Sequence, residues 1–192
     1  MNALVIIGSI IAVIAYFPLW REISLKQVEQ NLLTWILWFA LDIIITITII
    51  FQNGSFLLTA TYTVGSLITA ILICKSKSKI SWTWFESFVT ALVTTSMIIW
   101  YFSGDKAATV TATAAMLIAG IPQLVDAYKN PHGMPLLVYG AYMIANSFSL
   151  AGAADWSVKE RLYPASALIY CLLIFIFSIR KFWIKPAAAS TN

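Results

Sequence analysis

The chain reads as an all-α membrane protein: seven transmembrane helices in a 3-1-3 order, two parallel three-helix bundles joined by a linker helix. Three observations lead there. Of its 192 residues 60% are hydrophobic and only 10% charged, against roughly 25% charged in soluble domains. Charge-poor apolar runs of membrane-spanning length, about 20 residues, recur along the whole sequence. The pattern of prolines, aromatics and polar residues repeats at an offset of 104 positions. The mean hydropathy of +0.85 excludes a soluble domain, a disordered chain, a secreted disulfide scaffold and a collagen-like fibre.

Turn residues between apolar runs give the spans Ala3–Trp20, Leu32–Phe51, Phe56–Cys74, Trp82–Phe102, Ala107–Val125, Pro135–Gly152 and Leu162–Ile179. The first run has no basic stretch before it and no small-residue cleavage site, so it reads as a retained helix rather than a signal peptide. Gln52-Asn53-Gly54-Ser55 and Ser103-Gly104-Asp105-Lys106 read as tight turns. By domain, 1–75 is the first bundle, 76–106 the linker, 107–182 the second bundle and 183–192 a disordered cytoplasmic tail. Cys74 and Cys171 each sit in an apolar run and read as buried small hydrophobes. The single histidine, His132, lies in a polar turn, and no Cys/His cluster suggests a metal.

Seven spans put the termini on opposite sides. Arg21, Lys26, Lys75, Lys77, Lys79, Lys129, Arg180, Lys181 and Lys185 fall on one side; Lys106, Lys159 and Arg161 fall on the other. Basic residues stay cytoplasmic, so the N-terminus is expected outside and the C-terminus inside, with a bacterial inner membrane the expected site. The net charge of +4 is thus an orientation signal rather than a nucleic-acid footprint. With all twelve basic residues at helix ends or in loops, a retinal Schiff-base photoreceptor is excluded.

The offset of 104 lays Ile14-Ala15-Tyr16-Phe17-Pro18 on Ile118-Ala119-Gly120-Ile121-Pro122, Glu22 on Asp126, Trp35 on Tyr139, Trp38 on Tyr142 and Asp42 on Asn146; Tyr62 falls on Tyr163 with a slightly shorter shift. Three-helix units invert when simply repeated, and the fourth span restores the orientation, so the units are expected to be parallel with a pathway between them.

This plan, with a proline near the inner end of each unit's first helix, resembles the PQ-loop and SWEET superfamily of small-solute transporters. Pro122-Gln123 carries the motif; Pro18-Leu19 keeps the proline and has leucine in place of glutamine. The stretch from Trp35 to Asp42 is also similar to the aromatic-then-polar helix of bacterial nicotinamide riboside uptake proteins. SWEET-type transporters place an asparagine on the third helix of each unit, and the matching positions here carry Ser66 and Ala167. The resemblance implies a carrier and weakens a sugar-specific one.

Asp42 is the most informative single residue, because a mid-membrane carboxyl costs about 2.5–3.5 kcal/mol to insert and normally faces a cavity. Trp35, Trp38 and Asp42 fall within about 60° of one helix face, as do Tyr139, Tyr142 and Asn146. These six, with Tyr62 and Ser66, are the expected solute-binding residues. Asp42 is also the candidate for proton coupling. Pro18 and Pro122 each delete a helix hydrogen bond and make candidate hinges, with Gln123 and Asp126 at the inner mouth. No nucleophile–base pair or phosphate loop points to an enzyme. The expected partners are a small polar, ring-bearing solute and membrane lipid, with a homo-oligomer left open and no cofactor, metal or nucleic acid. The competing class is a receptor or scaffold on the same fold.

Overall fold

The computed structural model describes residues 2–25, 32–76 and 82–183, and among these it is helical with short turns and no strand. The helices are α1 (Ala3–Ser24), α2 (Leu32–Phe51), α3 (Leu57–Lys75), α4 (Trp84–Ala119), α5 (Ile121–Lys129), α6 (Leu136–Ala151) and α7 (Val158–Ile179). Short 3-10 turns occupy Pro131–Gly133 and Arg180–Phe182. Five stretches are long and apolar enough to cross a bilayer: Ala3–Ser24, Leu32–Phe51, Leu57–Lys75, Trp84–Lys129 and Val158–Phe182; Leu136–Ala151 is apolar but shorter. Lys26, Lys77, Lys79, Lys185 and all of the tail but Trp183 lie outside the described residues.

Local chemistry sets the helix ends. Asn2 Oδ1 accepts from the Leu4 amide at 3.0 Å and starts α1. Thr83 and Glu86 form a reciprocal capping box at the start of α4. Asn53 adopts φ 54°, and the Gly54 amide returns to the Ile49 carbonyl at 2.9 Å, which turns the chain tightly between α2 and α3 as expected.

The structure departs from the sequence-based expectations at five places. The expected turn at 103–106 is one residue: only Gly104 leaves helical geometry, at φ 79° and ψ −177°, inside the run Trp84–Ala119. Glycine tolerates that backbone where other residues do not. Trp100 Nε1 donates across the break to Asp105 Oδ1 at 2.7 Å. The 36 residues of this run would measure about 54 Å if straight, well beyond the ~30 Å bilayer core. The run expected at 107–125 is interrupted at Gly120, where Pro122, lacking an amide hydrogen, opens α5. Its counterpart Pro18 sits inside α1, which continues one turn further to Ser24. Helix α7 starts four residues earlier than Leu162, bringing Lys159 and a buried Glu160 into its first turn. Cys171 is buried, but Cys74 is exposed, contrary to expectation, because it lies on the outer face of α3.

The main helix contacts close a ring in the order α3, α1, α6, α7, α4, α2 and back to α3, with α5 packed on α7. Lipid tails offer little hydrophobic drive between helices, so close packing of small residues must supply the cohesion. Gly8, Ala12 and Ala15 give α1 such a face, and a Cβ on Gly8 would stand 2.6 Å from the Ala145 carbonyl oxygen of α6. Ala108, Ala112, Ala115 and Ala119 do the same for α4. Polar side chains also pair between helices: Thr48 with Thr109 at 2.9 Å, Thr46 with Thr63 at 3.0 Å, and Trp20 Nε1 with Thr69 at 2.9 Å. The outward faces are apolar, with Ile10, Ile14, Val64, Met97 and Ile169 all exposed, as a lipid-facing surface requires.

Candidate functional site

The ring of helices encloses a cavity of ≈ 80 Å³, room for a few waters. Helix α1 contributes Tyr16 and Leu19, α2 contributes Trp35, Trp38 and Asp42, and α3 contributes Tyr62. From the other side come Met116, Gln123, Tyr139, Tyr142, Tyr163 and Tyr170. Every helix thus reaches one space, and each except α4, which brings Met116, turns an aromatic or polar residue into it.

Asp42 is 4% exposed. Its Oδ2 accepts from Ser66 Oγ at 2.9 Å and its Oδ1 from the Tyr163 hydroxyl at 3.1 Å. A carboxylate has about four acceptor sites, so these two donors leave it half satisfied. Ser66 Oγ also lies 2.6 Å from the Tyr62 carbonyl oxygen. Its one hydrogen can serve either acceptor but not both.

Asn146 is fully buried and donates from Nδ2 to the Tyr62 hydroxyl at 2.7 Å and to the Tyr142 carbonyl at 2.8 Å. It does not line the cavity; Tyr62 and Tyr142 stand between. The expected pair of polar groups projecting side by side is therefore one carboxyl facing the space and one carboxamide behind a tyrosine. Ser66 likewise acts from behind, through Asp42. Trp38 Nε1 and Asn146 Oδ1 are among the buried polar atoms that find no protein partner. Trp38 is a lining residue, and a buried orphan of this kind costs on the order of 1–3 kcal/mol unless something binds it.

The cavity is closed differently at its two ends. Toward the 52–55 turn, Gln52 Nε2 donates to Thr109 at 2.8 Å, Lys159 Nζ donates to the Gln52 carbonyl at 3.0 Å, and Glu160 accepts from the Ser55 amide at 2.9 Å. Toward the opposite end, Gln123 donates to the Tyr139 hydroxyl. Beyond it a wider hollow of ≈ 540 Å³ is lined by Pro18, Glu22, His132, Pro135, Val138 and Lys181, among others. Pro135 and Val138 line both spaces, so the partition is thin. His132 is exposed, as expected; Asp126 and Pro122 are exposed and line neither space.

Tyr16, Tyr163 and Tyr170 line the cavity without having been among the expected binding residues. Tyr163 could have been found, since the internal repeat places it on Tyr62; Tyr16 falls on a glycine, and the repeat gives no hint of it. Among the described residues no group of His, Cys, Asp and Glu is arranged to hold a metal. Comparison with protein-family models, with characterised proteins and with solved structures returns no match. The geometry offers a small, partly polar space behind a thin barrier on one side and a polar clasp on the other.

Proposed function

We propose that this chain is a membrane carrier that moves a small polar solute by alternating access. In this reading α1–α3 form one three-helix unit, the chain from Asp105 through α7 forms a second of the same orientation, and Trp84–Phe102 links them, giving seven spans in a 3-1-3 order. The basic-residue bias then places the N-terminus outside and the C-terminus in the cytoplasm of a bacterial inner membrane, and the 52–55 turn on the outer side. The plan is that of the PQ-loop and SWEET-like carriers, with the nicotinamide riboside carriers as the nearest alternative.

The observation that carries the reading is the position of Asp42. A carboxyl set deep in apolar helices, half satisfied and facing a space at the junction of both units, is an expensive arrangement with no packing advantage. Rocking the units about that space would part the Gln123–Tyr139 contact on one face and the Gln52–Thr109–Lys159–Glu160 clasp on the other. Pro18 and Gly120–Pro122 supply the flexible points. At ≈ 80 Å³ the space is far below the ~300–1,000 Å³ of drug-sized pockets, so a ring-bearing solute requires the inner barrier to open.

Proton coupling draws support from Ser66. With Asp42 charged, the Ser66 hydrogen turns to Oδ2; with Oδ2 protonated, Asp42 donates to Ser66, which donates to the Tyr62 carbonyl. Both protonation states are hydrogen-bonded without moving a heavy atom.

The test is flux into proteoliposomes, after a thermal-shift screen of vitamins, nucleosides, amino acids, sugars and amines identifies a binder. A carrier equilibrates the solute across the bilayer; saturable binding with no flux would make the protein a receptor. Asp42→Asn is expected to cut uptake by tenfold or more, on the scale of ~1.4 kcal/mol of lost binding, and to flatten its pH dependence. Unchanged uptake at every pH would remove Asp42 from the mechanism.

A further inference from the structure

We propose that the cavity is a cage for a small organic ammonium ion, whose positive charge pairs with Asp42 and whose alkyl groups rest against the aromatic walls. This rests on the carrier reading and names the charge class of its solute.

The first argument is charge. Asp42 is the one charged side chain lining the cavity among the described residues, and no Lys, Arg or His lines it. Its two partners, Ser66 and Tyr163, are neutral donors. A carboxylate taken out of water without a counter-charge is strongly disfavoured, and a cationic solute supplies that charge, whereas an anion meets repulsion.

The second argument is shape. The ring planes of Trp35 and Trp38 meet at 80°, those of Trp38 and Tyr170 at 88°, and those of Tyr139 and Tyr142 at 81°. Rings set at right angles around a small space form walls rather than a stack, and such walls attract quaternary and alkylated ammonium groups through the ring quadrupole. Half of the lining residues are aromatic.

The third argument is an orphan group. Trp38 lines this space, and its Nε1 is buried without a protein partner. Trp38 can only donate, so the fitting solute carries, besides its ammonium, an oxygen that accepts. An amino alcohol satisfies both requirements in a small volume.

The probes are choline and its uncharged carbon isostere dimethylbutanol, titrated calorimetrically into the purified protein in a neutral detergent. Choline is expected to bind about tenfold tighter or more. Asp42→Asn should abolish that preference. Trp38→Phe keeps a ring but loses the Nε1 donor, so it should weaken choline binding less than Trp38→Ala does. If Asp42→Asn does not fold, the comparison of the two probes on the native protein still decides the matter. Equal affinities, or no choline binding by the folded protein, overturns the cage. Selective choline binding without flux would remove the carrier and leave the cage. Flux of a neutral solute with no ammonium preference would do the reverse.

Discussion

The region α1–α3 and the region from Gly104 to the end of α7 meet the same packing demands with opposite assignments. In the first, Tyr16 of α1 is the knob and Gly65 of α3 the hole; in the second, Tyr170 of α7 is the knob and Gly120 the hole. Gly120 is the residue on which the 104-residue offset places Tyr16. The polar pairs cross over in the same way. Tyr163 of the second region donates to Asp42 of the first, and Asn146 of the second donates to Tyr62 of the first. One tyrosine gives a hydrogen bond and its counterpart receives one. The two regions thus exchange roles, and the exchange leaves a single charge, among the described residues, in a space that both build. A symmetric pair of carboxylates there would repel; a symmetric pair of carboxamides would leave nothing to bind a cation or a proton.

The knob-and-hole exchange gives the largest expected effects. A Cβ on Gly65 would lie 2.1 Å from the Tyr16 ring, and one on Gly120 would lie 2.4 Å from the Tyr170 ring. Either Gly→Ala change should destabilise the protein by about 1–3 kcal/mol through overpacking, measured as thermal unfolding in detergent. Rescue separates the two sites. Tyr16→Leu should restore Gly65→Ala and not Gly120→Ala; Tyr170→Leu should do the opposite. Rescue of both by either leucine would mean that the two contacts are not independent.

Why the sequence revealed some of this and not the rest follows from the same contacts. Helix formation in lipid is forced, since every backbone group must be bonded within its own segment, so apolar length alone located the helices. Asp42 was legible because a carboxyl in such a run has few tolerable places to go. The closure of Gly104 into a single non-helical residue was not, because Ser103, Asp105 and Lys106 look like turn formers until Trp100 is seen bonding across the break. Asn146 was misplaced for a similar reason. The helical wheel gives the face on which a side chain sits, but not whether a tyrosine from another helix stands in front of it. Tyr16 and Gly120 escaped notice because the offset pairs a large residue with none at all, and only packing shows that the missing ring returns from α7.

The two polar residues at matching positions should respond to exchange unequally. In Asp42→Asn the new amide can donate to Ser66 Oγ, which then turns its hydrogen to the Tyr62 carbonyl, so the fold is kept and only function suffers. In Asn146→Asp a carboxylate oxygen would replace the Nδ2 that now donates to the Tyr142 carbonyl at 2.8 Å, setting acceptor against acceptor in a fully buried place. That should cost about 1–3 kcal/mol. Expression and unfolding of both variants, side by side, check the contrast; equal tolerance would mean that Asn146 is not held as described.

The smallest effects belong to the two short connections that follow α2 and α6. Glu160 spans both, accepting from the Ser55 amide of the first and, at 3.2 Å, from the Ala154 amide of the second. Glu160→Gln keeps one acceptor and turns an amide group toward a backbone donor, for a loss on the order of 1–2 kcal/mol. Asp155, in the second connection, is exposed and accepts from the Ser157 amide at 2.7 Å. Hydrogen bonds from Ser157 hold its carboxyl below the usual carboxylate value. The sign follows directly: a carboxyl depressed in the folded state favours folding at pH above its unfolded value of ~3.9, and that contribution fades as the medium is acidified below it. Asp155→Asn retains an acceptor for Ser157 but not the charge, so it should lower stability at neutral pH by less than Glu160→Gln does and remove the acid-side slope. A change at neutral pH comparable to that of Glu160→Gln would show that the second connection, like the first, is bound into the clasp rather than lying over it.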